Sequence, residues 1–488
     1  MRVPQAKLGV YPQEIKQLLR NREVRVNSSS DLLAGSGAVL RECAGDEAAG
    51  VSRDLDGLRR RLGLGSATAA VAGEMIAVGI FLTPAGMIKS IGSPLWLLVV
   101  WLLMGTMAVC GAFCYGGLAG RFPQAGGGYV YLREAYGRPV AFLYGWMCFL
   151  VMDPGITAAL AVGMASYAGY LVGLPPAGMK AVAVGAIFVL AAANIGGIRL
   201  GAGVMRWLTL AKLGALSFIT VWALAFRLGD WANFLPFVEQ RQGAAPLWTA
   251  LAAGMVAAFF SFGGWWDVSK IAGEVRNPER TLPRAMILGV SAVTAAYILI
   301  TVVFLYLVPA GRVTSDETFA AQAGEVLFGR AGGQVFSCIV IVSVFGSLAG
   351  LVMTAPRVYF AMARDGLFPA SIASVHSRFG TPAKAIALQA SLASILAVLG
   401  GFAQIVAYFI FVTVVFIALT VAAVLVLRAR GEEIRGIRGY PATPLIFITL
   451  TTLLLFLLAA ANPRQSLLGT LVVALGAPVY YLRKGQRT

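Results

Sequence analysis

Long apolar runs alternate with short polar segments along most of the chain. A run of roughly 18 or more apolar residues is long enough to cross the hydrocarbon core of a bilayer as a helix. The runs predict twelve transmembrane helices, at about 66–91, 94–119, 138–171, 179–195, 204–227, 247–272, 284–308, 333–362, 382–400, 402–427, 442–461 and 466–482. We therefore expect an all-α polytopic membrane protein that is embedded in a lipid bilayer.

Composition and charge agree with this pattern, since 58% of the 488 residues are hydrophobic and only 12% are charged. The net charge of +17 is typical of some nucleic-acid-binding proteins, but here the basic residues lie in short segments between apolar runs. Outside the N-terminal tail, 20 Lys and Arg residues fall on one predicted side of the membrane and 7 on the other. The positive-inside rule then predicts a protein of the cell membrane with both termini in the cytoplasm. Because the basic residues fit this pattern, we expect no nucleic-acid partner.

The polar terminal segments and the cysteine and histidine residues show no pattern typical of a catalytic or metal-binding site. Residues 1–62 contain no signal-like apolar stretch, so we expect a largely disordered cytoplasmic extension, followed by a membrane domain at 63–482 and a cytoplasmic end at 483–488. The five cysteines have no metal-ligand spacing, and the only histidine, His376, lies in a polar loop. We expect no metal, no cofactor and no enzyme active site.

Two of the predicted spans contain residues that weaken a helix. Gly79 lies in the first span, five residues after the acidic Glu74, and Gly263 and Gly264 lie near the middle of the sixth span. Spans 1 and 6 each begin a set of five, at about 66–227 and 247–427, and two sets with an odd number of spans cross the membrane in opposite senses. Spans 11 and 12, at about 442–482, are additional.

An interrupted membrane helix exposes backbone polar groups, which must line a cavity or bind a ligand. The N–H groups that begin a half-helix suit a carboxylate, and the carbonyl groups that end one suit an ammonium or another cation. Glycine also serves for close helix packing, but interruptions at corresponding positions of two inverted halves indicate a transporter binding site. Two such breaks match both ends of an α-amino acid.

Four segments resemble the amino acid–polyamine–organocation (APC) superfamily, in particular its L-type amino acid transporters. They read GEMIAVGIF (73–81), CYGGLAGRFPQAGGGYVYLREAYGRPVAFLYGW (114–146), FSFGGWWDVSKIAGEVRNPERTLPRA (260–285) and FGSLAGLVMTAPRVYFAMARDGLFP (345–369). The resemblance implies a five-plus-five inverted repeat with discontinuous helices 1 and 6, two extra helices and transport by alternating access. It implies an amino acid bound by Ile76, Ala77, Val78, Gly79, Ile80, Phe260, Ser261, Phe262, Gly263, Gly264 and Trp265, with Phe260 as an aromatic lid.

The sequence departs from the family pattern at the first break and in the loop after helix 3. The first break usually reads Gly-Ser-Gly in the family, but here it reads Ala77-Val78-Gly79, and the bulk of Val78 narrows the expected pocket. The eukaryotic relatives carry a cysteine after helix 3 that links them to a heavy subunit. The corresponding loop here, at 172–180, has none, so we expect no disulfide-linked heavy subunit.

Ionisable residues inside the spans are functional candidates, because a charge in the membrane is costly unless it is paired. Lys212 matches a helix 5 lysine of sodium-independent family members, where the ammonium stands in for a sodium ion. Its alternative role is structural, on helix 1 carbonyl groups such as that of Ala77. Glu74 could pair with Lys212 or carry a proton, or it could face water on the inner side, and the sequence leaves this open.

Four further charges are interpreted as gating or structural groups. Asp153 precedes Pro154 and is predicted to cap an irregularity in helix 3, and Asp267 is predicted to pair with Lys270. Glu274 and Arg357 are predicted to brace the inner end of the protein.

The leading hypothesis is a sodium-independent secondary transporter of L-amino acids, driven by protons or by exchange. A transporter of polyamines or other organic cations is an alternative, since Glu74 and Asp267 are acidic. A non-transporting amino acid sensor on the same fold is a second alternative, supported by the loss of the Gly-Ser-Gly pattern.

Overall fold

The computed structural model describes residues 60, 62–77, 79–196, 199–308, 319–374, 376 and 381–485. Within these ranges the regular structure is helical, apart from an isolated parallel bridge between Leu62 and Val275. Almost all of the predicted N-terminal extension lies outside the described residues. The same holds for Val78 of the first break and for the last three residues of the predicted C-terminal segment.

The described residues up to 225 form eight α-helices. They are α1 (Leu64–Met75), α2 (Gly79–Ile91), α3 (Pro94–Arg121), α4 (Gly128–Tyr136), α5 (Arg138–Met147), α6 (Asp153–Val172), α7 (Pro176–Ile195) and α8 (Arg199–Ala225). A short π-helix, Cys148–Met152, joins α5 to α6, so these elements form one segment across the predicted third span. The predicted first span is divided, because α1 and α2 meet at an angle of 41°.

The described residues after 225 form nine more α-helices. They are α9 (Leu247–Ser261), α10 (Pro278–Leu307), α11 (Phe319–Thr354), α12 (Pro356–Arg364), α13 (Ala383–Leu399), α14 (Phe402–Ala429), α15 (Ala442–Ala461), α16 (Pro463–Ala474) and α17 (Gly476–Gly485). Three 3₁₀ helices, Trp231–Phe234, Asp267–Glu274 and Ala370–Ala373, lie between them. The predicted eighth span differs, since α11 ends at Thr354 and α12 begins at Pro356, where a proline interrupts helical hydrogen bonding.

Each of the twelve predicted spans contains a helix in the part of the chain that the structure describes. There, eight helical segments are long and apolar enough to cross a membrane, and the bent pair α1–α2 makes nine. Three further apolar helices are shorter: Thr209–Ala225, Leu247–Ser261 and Ala383–Leu399. The all-helical, multi-pass architecture is confirmed, whereas the count of twelve and the inverted repeat stay predictions.

The packing of the broken helices brings the two breaks together. The helix α2 packs against α9, and α1 packs against the 3₁₀ helix Asp267–Glu274 that continues from α9. The long helices α3 and α10 pack along each other, and both α8 and α11 contact α1. The two interruptions therefore lie side by side, within a shell of intact helices.

Candidate functional site

The first break lies between Met75 and Gly79, and the second lies at residues 262–266. The two breaks approach so closely that a Cβ added to Gly79 would lie 2.6 Å from the Cα of Ser261. The hydroxyl groups of Thr83 and Ser261 are 2.7 Å apart, which joins α2 to α9 by a hydrogen bond. Glycine is required at position 79 for this contact, because any side chain would collide with the α9 backbone.

Gly264 turns the chain at the second break. Its φ of +102° lies in the region that residues with a side chain rarely adopt. A Cβ at this position would also lie 3.1 Å from the backbone carbon of Glu74, in α1. The turn is held by hydrogen bonds from the N–H of Gly263 to the carbonyl of Phe260 and from the N–H of Asp267 to the carbonyl of Gly264.

Side chains from other helices satisfy the carbonyl groups that the first break leaves free. The ammonium of Lys212, on α8, donates to the carbonyl oxygens of Gly73 at 2.9 Å and Ile76 at 3.0 Å, and to the hydroxyl of Ser347 at 2.6 Å. Ser347, on α11, in turn donates to the Gly73 carbonyl at 2.7 Å. Lys212 therefore meets the first break, at the carbonyls of Gly73 and Ile76 rather than that of Ala77.

A second buried lysine, Lys270, stands between two carboxylates. Its ammonium lies 2.9 Å from Asp153 and 2.7 Å from Asp267, and all three side chains are buried. The hydroxyl of Tyr359 donates to the other oxygen of Asp153 at 2.9 Å. The irregularity predicted beside Asp153 exists as the π-helix, but the carboxylate serves as an ion-pair partner that joins α6 to the second break, not as a helix cap.

Glu74 has a different environment from the paired carboxylates. It is 7% exposed, and neither of its carboxylate oxygens makes a well-formed hydrogen bond to a described residue. Thr354 and the charged groups of Asp267, Lys270 and Lys212 lie around it. Among the described residues, no ion pair within 4 Å joins Glu74 to Lys212. The ammonium of Lys212 instead donates hydrogen bonds to the carbonyl groups of the first break.

The remaining predicted charges, Glu274 and Arg357, contact each other. The guanidinium of Arg357 lies 3.3 Å from the carboxylate of Glu274, and it also donates to the Met353 carbonyl. The backbone of Glu274 accepts a hydrogen bond from Leu62, at 3.0 Å. This pair connects α12 to the 3₁₀ helix of the second break.

A cavity of about 40 Å³ lies against both breaks. Eight of the predicted residues line it: Glu74, Ala77, Gly79, Phe260, Ser261, Gly263, Gly264 and Asp267. Four of the predicted substrate-binding residues do not: Ile76, Ile80, Phe262 and Trp265. The rings of Phe262 and Trp265 pack instead against Trp101 and Tyr115 of α3.

Sequence reasoning did not identify the other walls of the cavity. They come from α1, α6, α9, α11 and α14 and from the turn, and comprise Met75, Ile156, Leu160, Phe259, Trp266, Ser347, Leu351, Phe409, Ile410 and Thr413. Most of these are apolar residues in apolar spans, so no local pattern distinguishes them from lipid-facing or core residues. Only their position next to the two breaks identifies them.

The chain matches known proteins over most of its length. Residues 62–478 match the model of the family described as amino acid permease. The serine/threonine exchanger SteT of Bacillus subtilis (strain 168) is 32% identical over 438 residues, which cover 88% of this chain and 98% of that protein. The human large neutral amino acids transporter small subunit 2 is 27% identical and covers 87% of this chain and 80% of itself.

A third relative extends the same likeness. The human b(0,+)-type amino acid transporter 1 is 29% identical over 404 residues, or 82% of each chain. The family model covers well over half of the sequence, and its members are transporters rather than enzymes. The two facing breaks, the multi-pass helical fold and these matches lead to one conclusion: the chain belongs to the amino acid permease family of the APC superfamily.

Proposed function

We propose that the protein is a sodium-independent secondary transporter of L-amino acids, driven by proton symport or by exchange. The observation that carries this proposal is the cavity against two adjacent helix breaks. Its alternating-access cycle would use twelve spans in a five-plus-five inverted repeat, with both termini in the cytoplasm of the cell. The loop at 172–180 contains no cysteine, so we expect no disulfide-linked heavy subunit.

The breaks offer complementary groups to the two ends of an amino acid. The α2 helix begins at Gly79, and the first N–H groups of a helix have no intrahelical partner and carry a partial positive charge. They suit the substrate carboxylate. The α9 helix ends at Ser261, where carbonyl groups carry a partial negative charge and suit the ammonium. Phe260 lines the cavity beside this end and would cover the bound substrate.

Lys212 supports the absence of sodium coupling. Its ammonium takes three oxygen atoms at the first break, which is the kind of oxygen environment that a small cation would otherwise occupy. A fixed ammonium at this place supplies the charge that a sodium ion would supply. We therefore expect uptake to be the same in sodium and in choline buffers.

The test is uptake of a mixed pool of radiolabelled L-amino acids into proteoliposomes that contain the purified protein. One set of vesicles receives an inward proton gradient, a second is preloaded with unlabelled amino acids, and both are assayed with and without sodium. Gradient-driven uptake indicates proton symport, and uptake only after preloading indicates exchange. A sodium requirement contradicts the role of Lys212. Amino acid binding without uptake favours the sensor, and uptake of polyamines alone favours the organic-cation transporter.

A further inference from the structure

Glu74 is an acidic group in the cavity wall, and no cation among the described residues forms an ion pair with it. It lies near the end of α1, it is 93% buried, and both carboxylate oxygens lack well-formed hydrogen bonds. An unpaired carboxylate is costly in a buried place, because it loses its hydration without any compensating contact. Such a group in a ligand cavity indicates that the ligand itself supplies the missing partner.

The charges around Glu74 do not balance. Lys212 and Lys270 supply two positive charges, whereas Glu74, Asp153 and Asp267 supply three negative charges. Lys270 is shared between two aspartates, and Lys212 is directed to neutral oxygens. Nearby, Arg357 and Glu274 pair with each other and add no net charge. The buried cluster therefore lacks one positive charge when all five groups are ionised.

The other walls of the cavity suit an aliphatic chain. Ile156, Leu160, Leu351 and Phe409 are apolar and come from three different helices, α6, α11 and α14. Methylene groups lie favourably along such surfaces while a terminal charge reaches a polar partner. Glu74 lies on α1 and the free N–H groups lie on α2, so the two recognition elements are on opposite sides of the first break.

Resting on the transport function above, we propose that Glu74 forms a subsite for a positively charged group at the end of the substrate's side chain. The cavity then takes a dibasic L-amino acid: the breaks bind the carboxylate and the α-ammonium, the apolar walls contact the methylene groups, and Glu74 binds the second cation. One positive charge from the substrate balances the buried cluster.

The experiment compares ligands that differ in the terminal charge or in the length of the side chain. Inhibition of the uptake of radiolabelled L-lysine into proteoliposomes is measured with four unlabelled compounds. They are lysine itself, norleucine, which has the carbon chain of lysine without its side-chain amine, and the shorter diamines ornithine and diaminobutyrate. We expect lysine or one shorter diamine to inhibit at least about tenfold more strongly than norleucine, since a charge-assisted contact is lost in norleucine. This comparison needs no variant and so does not depend on the folding of one.

The matched variants are Glu74→Gln and Glu433→Gln. Glu433 lies on an exposed loop, where it pairs with Arg435. We expect Glu74→Gln to weaken inhibition by lysine about tenfold or more, with norleucine changed by less than about threefold, and Glu433→Gln to leave both unchanged.

Four outcomes overturn the inference. If norleucine inhibits as well as lysine, the site does not recognise a side-chain cation. If the affinity for lysine is unchanged in Glu74→Gln, Glu74 does not bind that cation. Uptake of neutral amino acids alone, with proton entry that Glu74→Gln abolishes, assigns the missing positive charge to a proton. In that last case the transport proposal stands, whereas folded protein that binds and transports no amino acid overturns both proposals.

Discussion

The two helix breaks are adjacent, but they are stabilised in different ways. At the first break, the carbonyl groups of Gly73 and Ile76 depend on Lys212 and Ser347, which belong to α8 and α11. The second break is closed largely by hydrogen bonds within its own turn, and it continues into a 3₁₀ helix. We therefore expect the first break to respond to movement of its neighbouring helices, and the second break to keep its local shape.

The two buried lysines show the same difference. Lys212 contacts neutral oxygens, so no direct ion pair compensates its charge. This positive charge therefore contributes to the electrostatic potential at the cavity. Lys270 is neutralised by two carboxylates and joins α6 to the second break. We infer that Lys270 mainly supports the fold and Lys212 mainly supports transport. The following predictions test this division.

The largest effect is expected for Lys270→Met. The substitution leaves Asp153 and Asp267 buried without their cation, and breaking a buried pair in this way costs about 3–5 kcal/mol. We expect a severe loss of monodisperse protein in size-exclusion chromatography and a lowered Tm.

The control for this prediction is Lys180→Met, because Lys180 is exposed near the beginning of α7 and donates only to a carbonyl group among the described residues. A triple variant, Lys270→Met with Asp153→Asn and Asp267→Asn, removes all three charges and should recover much of the lost Tm. Normal yield and Tm for Lys270→Met alone would show that the triad does not support the fold.

A smaller effect on stability, with a larger effect on transport, is expected for Lys212→Met. The variant removes a charged donor from the carbonyl oxygens of the first break, which costs about 1.5–3 kcal/mol. We expect the protein to remain folded, with uptake reduced at least about tenfold. Proteoliposome uptake, normalised to folded protein, measures this. If Tm falls as far as in Lys270→Met while specific uptake is retained, the division between the two lysines is wrong.

Next in size is Gly264→Ala. The φ of +102° strains any residue with a side chain, at a cost of about 1–2 kcal/mol, and the new methyl group meets the backbone of Glu74 at 3.1 Å. We expect lower uptake because the turn moves away from α1. Gly185→Ala is the matched control, since a Cβ there meets nothing within 4 Å. Equal uptake by the two variants would show that the turn tolerates this movement.

The sequence predicted the helices and the position of both breaks, because apolar length and paired glycines are local signals. Lys212 was also identifiable, since a single charge inside an apolar span is conspicuous. The ion pair between Lys270 and Asp153 was not predicted, because those residues are 117 positions apart and nothing local relates them.

The direction of individual side chains was equally inaccessible from the sequence. Trp265 and Gly264 are neighbours in one turn, yet Gly264 lines the cavity and Trp265 packs against Tyr115. Consecutive residues in a turn point in different directions, and only the tertiary packing decides which of them faces the cavity. The hydroxyl group of Ser347 was missed for a related reason, since serine is common in membrane helices.

The smallest effect is expected for Tyr297→Phe, which tests the connection between the breaks. The buried hydroxyl of Tyr297 lies 2.6 Å from the carbonyl of Met75 and 2.9 Å from that of Ser261, so its single proton serves one break at a time. Phenylalanine preserves the ring contacts with Trp101 and Phe262. The expected cost is about 1 kcal/mol.

Because Tyr297 does not line the cavity, the variant should lower the maximum rate of uptake more than the apparent affinity for substrate. Tyr115→Phe is the control, since the Tyr115 hydroxyl is buried without a well-formed hydrogen bond and its loss should be nearly neutral. A change in affinity with an unchanged maximum rate would place Tyr297 in substrate binding. An unchanged rate and affinity would mean that the two breaks move independently. The hydrogen bonds from Lys212 and Ser347 would then be sufficient to stabilise the first break.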